Sequence, residues 1–275
     1  MSMSERTPVT VVTGAAGGIG RSLCAGLLEA GHEVVAVIRS ATSTATLPIA
    51  TSGRRCITVV ADLATIDGPN AVRMAVVDKF GYLTGLVNNA GIGMGSIRTD
   101  YYKQPVRPQE INAATLERFL RINAQVPVTL ALQLLPLFTE GWGRIINVGT
   151  SLAAMLRPGF IPYAMSKAAL ESGSAVLARD LEGSGVDVCV LNPGGPVATP
   201  MAKRDEKESR AQLIAPEVMV PPTCWALSRT TMDINGKRIT ATRWSAANPK
   251  SSLAPIGWPQ LANDSTWVTR TSSER

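Results

Sequence analysis

The sequence predicts an α/β fold, a single doubly wound parallel β-sheet with helices on both faces. Short runs rich in β-branched residues alternate along the chain with longer amphipathic stretches, which is typical of strands joined by crossover helices. The chain has 275 residues, 45% of them hydrophobic and 17% charged, so it can bury the core of one such domain. We predict a single domain over residues 1–245 and an irregular C-terminal tail over residues 246–275, where Ser, Thr, Pro and Asn dominate.

The predicted elements follow one another in a regular order. Valine and isoleucine runs fit buried parallel strands and predict strands at residues 9–13, 34–38, 57–60, 85–88, 144–148 and 186–191, with a last strand at 238–244. The stretches between them predict helices at residues 19–30, 68–80, 114–138 and 163–182. Residues 92–111 and 194–222 are too polar or too rich in proline and glycine for the sheet, and loops of that length often carry binding function.

Composition excludes several classes of function. The net charge of +6 comes from basic residues scattered along the chain, so no nucleic-acid partner is expected. The four cysteines, at positions 24, 56, 189 and 224, show no metal-ligand spacing and indicate reduced thiols, hence a cytoplasmic protein without a metal site. The most apolar stretch, residues 126–138, has only 13 residues, whereas roughly 20 are needed to span a bilayer, so no membrane partner is expected either.

The only histidine is His32, in Ala30-Gly31-His32-Glu33. We expect it at the surface, after the glycine that ends the first predicted helix. A chain with one such histidine does not suit Ser-His-Asp hydrolysis or histidine-ligated metal chemistry, so proton transfer must rest on Tyr, Lys, Asp, Glu or Cys.

A glycine-rich turn, Thr13-Gly14-Ala15-Ala16-Gly17-Gly18-Ile19-Gly20, joins the first predicted strand to the first helix. Such a turn lets the backbone approach a pyrophosphate, and the helix N-terminus offers free N–H groups. Further motifs lie at or just beyond the ends of later strands: Asn88-Asn89-Ala90-Gly91, Gly149-Thr150-Ser151, Tyr163-Ala164-Met165-Ser166-Lys167 and Asn192-Pro193-Gly194. Because ligands bind at this edge of a parallel sheet, we expect the motifs to converge on one crevice.

This set of motifs resembles the short-chain dehydrogenase/reductase family over about residues 8–245. Thr-Gly-x3-Gly-x-Gly, Asn-Asn-Ala-Gly and Tyr-x3-Lys occur in the family's order and spacing. The resemblance implies a Rossmann-type fold and an oxidoreductase that moves a hydride between a nicotinamide cofactor and a carbonyl or alcohol.

The resemblance also implies four catalytic residues, Asn123, Thr150, Tyr163 and Lys167. Tyr163 is the general acid and base, and it shares a helix face with Lys167 four residues later. We expect the Lys167 ammonium to lower the pKa of Tyr163. Asn123 matches the family's asparagine whose helix distortion holds a water in a proton relay to the lysine.

The cofactor positions implied by the resemblance lie in the glycine turn and at the strand ends. They are Gly14, Gly18, Ile19, Gly20, Arg39, Ser40, Asp62, Leu63, Asn89, Ala90, Gly91, Tyr163, Lys167, Pro193, Gly194, Val197 and Thr199. For Asp62 the residues alone also allow a helix N-cap. NADP(H) is the expected cofactor, because no Asp or Glu occurs from Val34 to Ala61 to bind a ribose 2′-hydroxyl, while Arg39 and Ser40 suit a 2′-phosphate.

Three features depart from the family pattern. Thr150 stands where the catalytic serine is expected, with Ser151 beside it, and the two hydroxyls should point in different directions. The segment between Gly91 and Asn123 is longer than usual and is a candidate insertion at the substrate mouth. One extra residue in the segment 193–199 weakens the expected contact of Thr199 with the cofactor amide.

The sequence therefore favours an NADP(H)-dependent oxidoreductase acting on a ketone, aldehyde or alcohol. A catalytically quiet sensor or scaffold that binds the dinucleotide, and a reductase of an imine or activated alkene, stay open as alternatives. Six side chains indicate a largely apolar substrate: Met94, Ile97, Met155, Leu156, Phe160 and Met201. Four basic residues instead favour an anionic one: Arg98, Lys103, Arg107 and Arg157. A homodimer or homotetramer is expected by resemblance, through the helices at 114–138 and 163–182.

Overall fold

Eight strands form one sheet within residues 6–41, 53–138, 141–202 and 213–257, the ranges that the computed structural model describes. The strands are β1 Val9–Thr13, β2 Glu33–Ile38, β3 Cys56–Val60, β4 Gly85–Asn88, β5 Gly143–Val148, β6 Val186–Asn192, β7 Lys237–Thr240 and β8 Leu253–Pro255. Their order is β3-β2-β1-β4-β5-β6-β7-β8, and all neighbours are parallel except β7 and β8. This doubly wound Rossmann-type sheet confirms the predicted fold class.

The helices lie between the strands. They are α1 Gly18–Glu29, α2 Asp67–Lys79, α3 Ala113–Leu120, α4 Val126–Leu134, α5 Leu152–Met155, α6 Ile161–Asp180 and α7 Val220–Ala226. The continuous helix predicted at 114–138 is wrong, because a π-helical turn, Arg121–Gln125, separates α3 from α4, and α4 runs into a 3-10 turn, Leu135–Leu137. None of the helices in the described ranges is long and apolar enough to cross a membrane.

Two hydrophobic cores cover the two faces of the sheet. On one face Val12 of β1 packs with Leu23 and Leu27 of α1. On the other face Val11 packs with Val72 of α2, and α4 and α6 contribute to the same core. Adjacent residues of β1 thus enter opposite cores, as the twofold alternation of a strand requires. With both faces covered, the loops at the strand ends remain as the place for a site.

The C-terminal third differs from the sequence prediction in three places. β7 ends at Thr240, and the 3-10 turn Ala241–Arg243 follows where the strand was expected to continue to 244. Within the tail predicted to be irregular, β8 pairs antiparallel with β7; Pro255 fits there because an edge strand tolerates a missing N–H. The helix α7 lies partly inside the segment predicted to lack regular structure, since prolines in a first helical turn remove no helical hydrogen bond.

The prediction of a surface position for His32 is wrong. The side chain is buried at 6% relative exposure, and its Nδ1 forms a hydrogen bond with Thr10 Oγ1 at 2.9 Å. Burial, with a contribution from the Arg54 charge, lowers the pKa of His32 to about 4. The imidazole is therefore neutral at physiological pH and joins β1 to the start of β2.

We expect His32 to make the fold acid-sensitive. In the unfolded chain His32 takes up a proton near pH 6.5, whereas in the folded protein it does so near pH 4, so stability is lost as the pH falls through this window. The loss should reach about 3 kcal/mol at pH 4. Urea unfolding at pH 7, 6, 5 and 4 measures it, with His32→Asn as the comparison, since Asn keeps a polar atom near Thr10 and does not titrate. Parallel pH profiles of the two proteins would contradict the assignment.

Candidate active site

A cleft of about 880 Å³ opens at the carboxyl ends of the central strands. Its lining includes most of the residues that the sequence singled out: Gly14, Gly18, Ile19, Arg39, Asn89, Ala90, Gly91, Thr150, Tyr163, Lys167, Pro193, Val197 and Thr199. An adjoining cavity shares Gly14 and Arg39 with the cleft and is lined by Ser40, Asp62 and Leu63. The remaining three, Gly20, Asn123 and Gly194, line neither space in the described part of the chain.

The turn between β1 and α1 forms one wall of the cleft. Gly14 has φ +63°, and a Cβ there would lie 2.9 Å from Ala90 Cα, so only glycine suits the position. Gly17 precedes α1, and no side chain caps this helix end. The N–H groups of the first turn are thus available to an anion in the cleft.

Hydrogen bonds fix this turn to the end of β4. Thr13 Oγ1 accepts from the backbone N–H groups of Asn89 at 3.0 Å and Ala90 at 2.9 Å. In return, Asn89 Nδ2 donates to Thr13 O at 2.9 Å. The threonine of the glycine motif and the Asn-Asn-Ala-Gly motif therefore hold each other in position.

The glycines that do not line the cleft support it from behind. Gly20 lies in α1 against the Gly14 carbonyl, where a Cβ would come within 2.2 Å of the oxygen. Gly194 has φ +93° and packs against Thr242, so it shapes the loop after β6 while Pro193 and Val197 reach the cleft. Thr199 packs against Gly18 and does line the cleft.

Arg39 connects the cleft with the adjoining cavity. It follows β2 directly, is exposed, and lines both spaces. Asp62 lies across the same cavity, and its Oδ1 accepts from the Ala64 N–H at 2.9 Å. The alternative of a helix cap is wrong for Asp62, because α2 begins only at Asp67 with Ile66 as its cap.

Tyr163 and Lys167 lie in the first turns of α6. Tyr163 is half-buried and lines the cleft together with Thr150, whose side chain lies near enough to the phenol to influence its pKa. Lys167 is 7% exposed, and its Nζ donates to Val148 O at 2.8 Å. The ends of β5 and α6 thus bring two hydroxyls and an ammonium to the floor of the cleft.

The pKa of Tyr163 does not move in the expected direction. Burial raises it above the ordinary value for tyrosine, and the nearby Thr150 hydroxyl only opposes that rise. Burial also lowers the pKa of Lys167 to about 8. The expectation that the ammonium lowers the pKa of Tyr163 left out the desolvation that both groups share. Because the pKa of Tyr163 is raised, its phenol is protonated at neutral pH.

The hydroxyls of Thr150 and Ser151 have different surroundings. Thr150 lies near Tyr163, whereas Ser151 Oγ accepts from the Ala154 N–H at 3.2 Å and caps α5. A hydroxyl engaged as an N-cap points at the helix backbone.

Asn123 lies in the π-helical turn and is fully buried. Its Oδ1 accepts from the Ile92 N–H at 2.8 Å, and its Nδ2 donates to Ile92 O at 2.9 Å and to Ser166 Oγ at 3.0 Å. The helix is distorted at the position where the resemblance implied a distortion. In this arrangement Asn123 ties the loop after β4 to α6, next to Lys167.

The outer end of the cleft is apolar and partly formed by the long segment 92–111. Tyr101 and Tyr102 line it, although the sequence prediction missed both, because an aromatic pair in a polar stretch follows neither the helix nor the strand period. Of the six apolar candidates, Met94, Phe160 and Met201 line the cleft. Ile97, Met155 and Leu156 do not; Leu156 is 82% exposed, since α5 turns it outward.

Comparison with known proteins identifies the family. The family model described as short chain dehydrogenase matches residues 8–210. The rhamnolipids biosynthesis 3-oxoacyl-[acyl-carrier-protein] reductase of Pseudomonas aeruginosa is 32% identical, over 68% of this chain and 72% of that protein. The 2-(R)-hydroxypropyl-CoM dehydrogenase of Xanthobacter autotrophicus is 31% identical, over 75% of this chain and 82% of that protein.

Solved structures share the fold. A dehydrogenase/reductase from Sinorhizobium meliloti superposes with a TM-score of 0.74 at 26% identity, covering 85% of this chain and 92% of that one. The angucycline C-6 ketoreductase LanV, solved with bound NADP, also has a TM-score of 0.74 at 26% identity, covering 85% of this chain and 93% of that one.

Proposed function

Because this chain belongs to the short-chain dehydrogenase family, we propose that it is an NADP(H)-dependent oxidoreductase that interconverts a ketone or aldehyde and an alcohol. The observation that carries the proposal is that the side chains of Thr150, Tyr163 and buried Lys167 all line one cleft. A consumption assay for NADPH against a panel of ketones and aldehydes tests it.

The residues of the cleft fit a nicotinamide dinucleotide phosphate. The uncapped first turn of α1 offers N–H groups to the pyrophosphate. Gly14, whose positive φ favours glycine, has no Cβ that would hinder the approach of the pyrophosphate. Arg39 and Ser40 lie where the adjoining cavity begins, and a guanidinium with a hydroxyl suits a phosphate. When bound, the nicotinamide supplies the hydride for reduction or accepts it in oxidation.

Proton transfer is the part that this chain performs itself. Tyr163, kept protonated by its raised pKa, donates its proton to the carbonyl oxygen during reduction and takes it back from the alcohol during oxidation. Thr150 donates a hydrogen bond to the same oxygen, which stabilises the charge that develops there. The ammonium of Lys167 stabilises the phenolate left by Tyr163, and Asn123 holds the loop and helix around it.

We expect kcat/KM to be higher with NADPH than with NADH by about tenfold to a hundredfold, since a charge-assisted hydrogen bond contributes about 1.5–3 kcal/mol. Arg39→Gln should remove most of this difference by lowering the value for NADPH alone. Arg73→Gln serves as the control, because Arg73 lines neither cavity. Equal kcat/KM for the two cofactors in the wild type would contradict the role of Arg39.

Two solved neighbours support the choice of cofactor. LanV was solved with bound NADP. An L-sorbose reductase from Gluconobacter frateurii was solved with NADPH; it is 29% identical to this chain, with a TM-score of 0.61 over 73% of each chain. The first is named a C-6 ketoreductase and the second a reductase, in keeping with the proposed chemistry.

A sensor that binds the dinucleotide without turnover is the second candidate. Thr150 in place of serine is the one feature that favours it, whereas the position of Thr150 in the same cleft as Tyr163 and Lys167 favours an enzyme instead. The carbonyl panel separates the two, because a sensor would bind NADPH and consume none. An imine or an activated alkene in the same panel tests the remaining alternative.

A homo-oligomer and a cytoplasmic location stay predictions. Three exposed apolar side chains support the former: Leu132 on α4, and Met165 and Val176 on α6. They lie on the two helices through which the resemblance implies pairing. Light scattering should give a mass of two or four chains.

A further inference from the structure

Three charged side chains line the cleft within the described part of the chain, and all three are basic: Arg39, Arg157 and Lys167. Arg39 faces the adjoining cavity as well, and Lys167 is bonded to the Val148 carbonyl. Only Arg157 has no part in the proposed chemistry. It lies at the apolar end of the cleft, where a substrate would enter.

The guanidinium of Arg157 lies over two rings of the cleft wall. Its central carbon is 4.8 Å from the Tyr102 ring centroid and 5.0 Å from that of Phe160. A cation–π contact does not neutralise the charge of the guanidinium, so Arg157 can also attract an anionic ligand. Arg157 is exposed, and no carboxylate in the described ranges forms an ion pair with it.

The same rings connect Arg157 to the proposed proton donor. Phe160 meets Tyr163 edge to face, with ring centroids 6.3 Å apart and planes at 84°. Tyr102 meets Phe160 in a similar way at 6.4 Å and 67°. The guanidinium is therefore two ring spacings from the phenol, along a continuous aromatic wall. A flat molecule lying on this wall could reach both ends.

The other basic residues near the mouth do not compete for this role. Arg98 is paired with Glu110 at 2.9 Å and with Asp100 at 3.5 Å. Lys103 and Arg107 do not line the cleft. Of the four basic candidates in the sequence, only Arg157 both lines the cleft and offers its charge to it.

We propose that the substrate carries an anionic group that Arg157 binds, with a flat apolar body, such as an aromatic ring, lying against Tyr102 and Phe160 between that group and the carbonyl. This inference rests on the proposed function and adds the class of substrate. Arg157 is in this view a specificity residue, since it touches the substrate far from the reacting carbon and takes no part in proton transfer.

Matched aldehydes test the charge preference. The NADPH-loaded enzyme is assayed with para-formylbenzoate, its methyl ester and para-trimethylammonio-benzaldehyde, and with the corresponding biphenyl series to vary the span. The comparison is made at low ionic strength within the series, benzaldehyde or biphenyl, that gives the higher kcat/KM. There we expect kcat/KM for the carboxylate to exceed that for the ester by about tenfold, and kcat/KM for the cationic aldehyde to be the lowest. Added salt should reduce the preference.

Substitution of Arg157 assigns the preference to this residue. Arg157→Gln should lower kcat/KM for the carboxylate about tenfold, mainly through KM, and change the ester less than threefold, because it removes only the charged contact. Arg157→Lys should retain part of the preference. Arg229→Gln is the control: Arg229 is also exposed and lies over a ring, that of Trp142 at 4.5 Å, but does not line the cleft.

The outcomes separate this inference from the proposed function. Equal kcat/KM for carboxylate and ester, or an equal loss of both in Arg157→Gln, would overturn it while leaving carbonyl reduction intact. If neither these aldehydes nor any carbonyl of the panel is reduced, the proposed function fails, and calorimetry with para-carboxybenzyl alcohol and NADP-loaded protein decides the binding question. A Kd about tenfold weaker in Arg157→Gln than in wild type supports the anion site, and an equal Kd overturns it.

Discussion

Tyr163→Phe should lower kcat by about 10²–10⁴-fold, because it removes the proton donor of the proposed reaction. The ring itself stays, so its edge-to-face contact with Phe160 and the packing of α6 should be preserved. Steady-state NADPH oxidation with a carbonyl found in the panel measures the loss. The effect should fall on kcat and kcat/KM alike, as expected when an interaction made in the transition state is removed.

Cofactor binding provides the control for this variant. The Kd for NADPH, followed by the quenching of protein fluorescence, should change little in Tyr163→Phe. Lys167→Ala should weaken both binding and turnover, since Lys167 lines the cleft and the resemblance implies that it also binds the cofactor. Retention of more than about a hundredth of the wild-type rate by Tyr163→Phe would refute the general-acid assignment.

Thr150→Val should lower kcat by about 10²–10³-fold, the usual effect of removing one hydrogen-bond donor to a developing oxyanion. Valine keeps the shape and the β-branch of threonine, which suits the end of β5. The free energy of unfolding should therefore stay nearly constant, which urea denaturation checks. The loss would then belong to the missing hydroxyl.

Ser151→Ala is the matched comparison for Thr150→Val. Because Ser151 Oγ caps α5, we expect a loss of about 1 kcal/mol in stability and no more than a few-fold change in kcat. The opposite ranking of the two variants would transfer the catalytic hydroxyl to Ser151.

The central parallel strands were predictable because they are rich in valine and isoleucine and, as β1 and β2 show, buried on both faces. The same reasoning could not find β8, where Pro255 argues against a strand unless its edge position is known. It also could not show that His32 folds back under Thr10. The pairing of β8 and the burial of His32 are both decided by tertiary contacts and not by local sequence.

The proton-transfer residues were predictable because their spacing is specific, as with Tyr163 and Lys167. Their pKa values were not predictable, because the raised pKa of Tyr163 depends on how deeply the folded chain buries its phenol. The aromatic wall of Tyr102 and Phe160 is a tertiary feature as well, since its rings come from distant segments. The different surroundings of the Thr150 and Ser151 hydroxyls likewise required the geometry of α5, which Ser151 caps.

Transfer of deuterium from NADPH to a substrate tests the proposed reaction most directly. The enzyme is incubated with NADPH deuterated on the transferred face of the nicotinamide C4 and with the carbonyl panel, and the products are analysed by mass spectrometry. We predict alcohols that carry one deuterium on the carbinol carbon, in equal amount to the NADPH consumed, and no labelled product from Tyr163→Phe above about a hundredth of that amount. Carbonyl reduction would be contradicted if NADPH bound without giving labelled product. It would also be contradicted if deuterium appeared only in products of alkene or imine reduction, on the former alkene carbon or on the carbon that bears the amine.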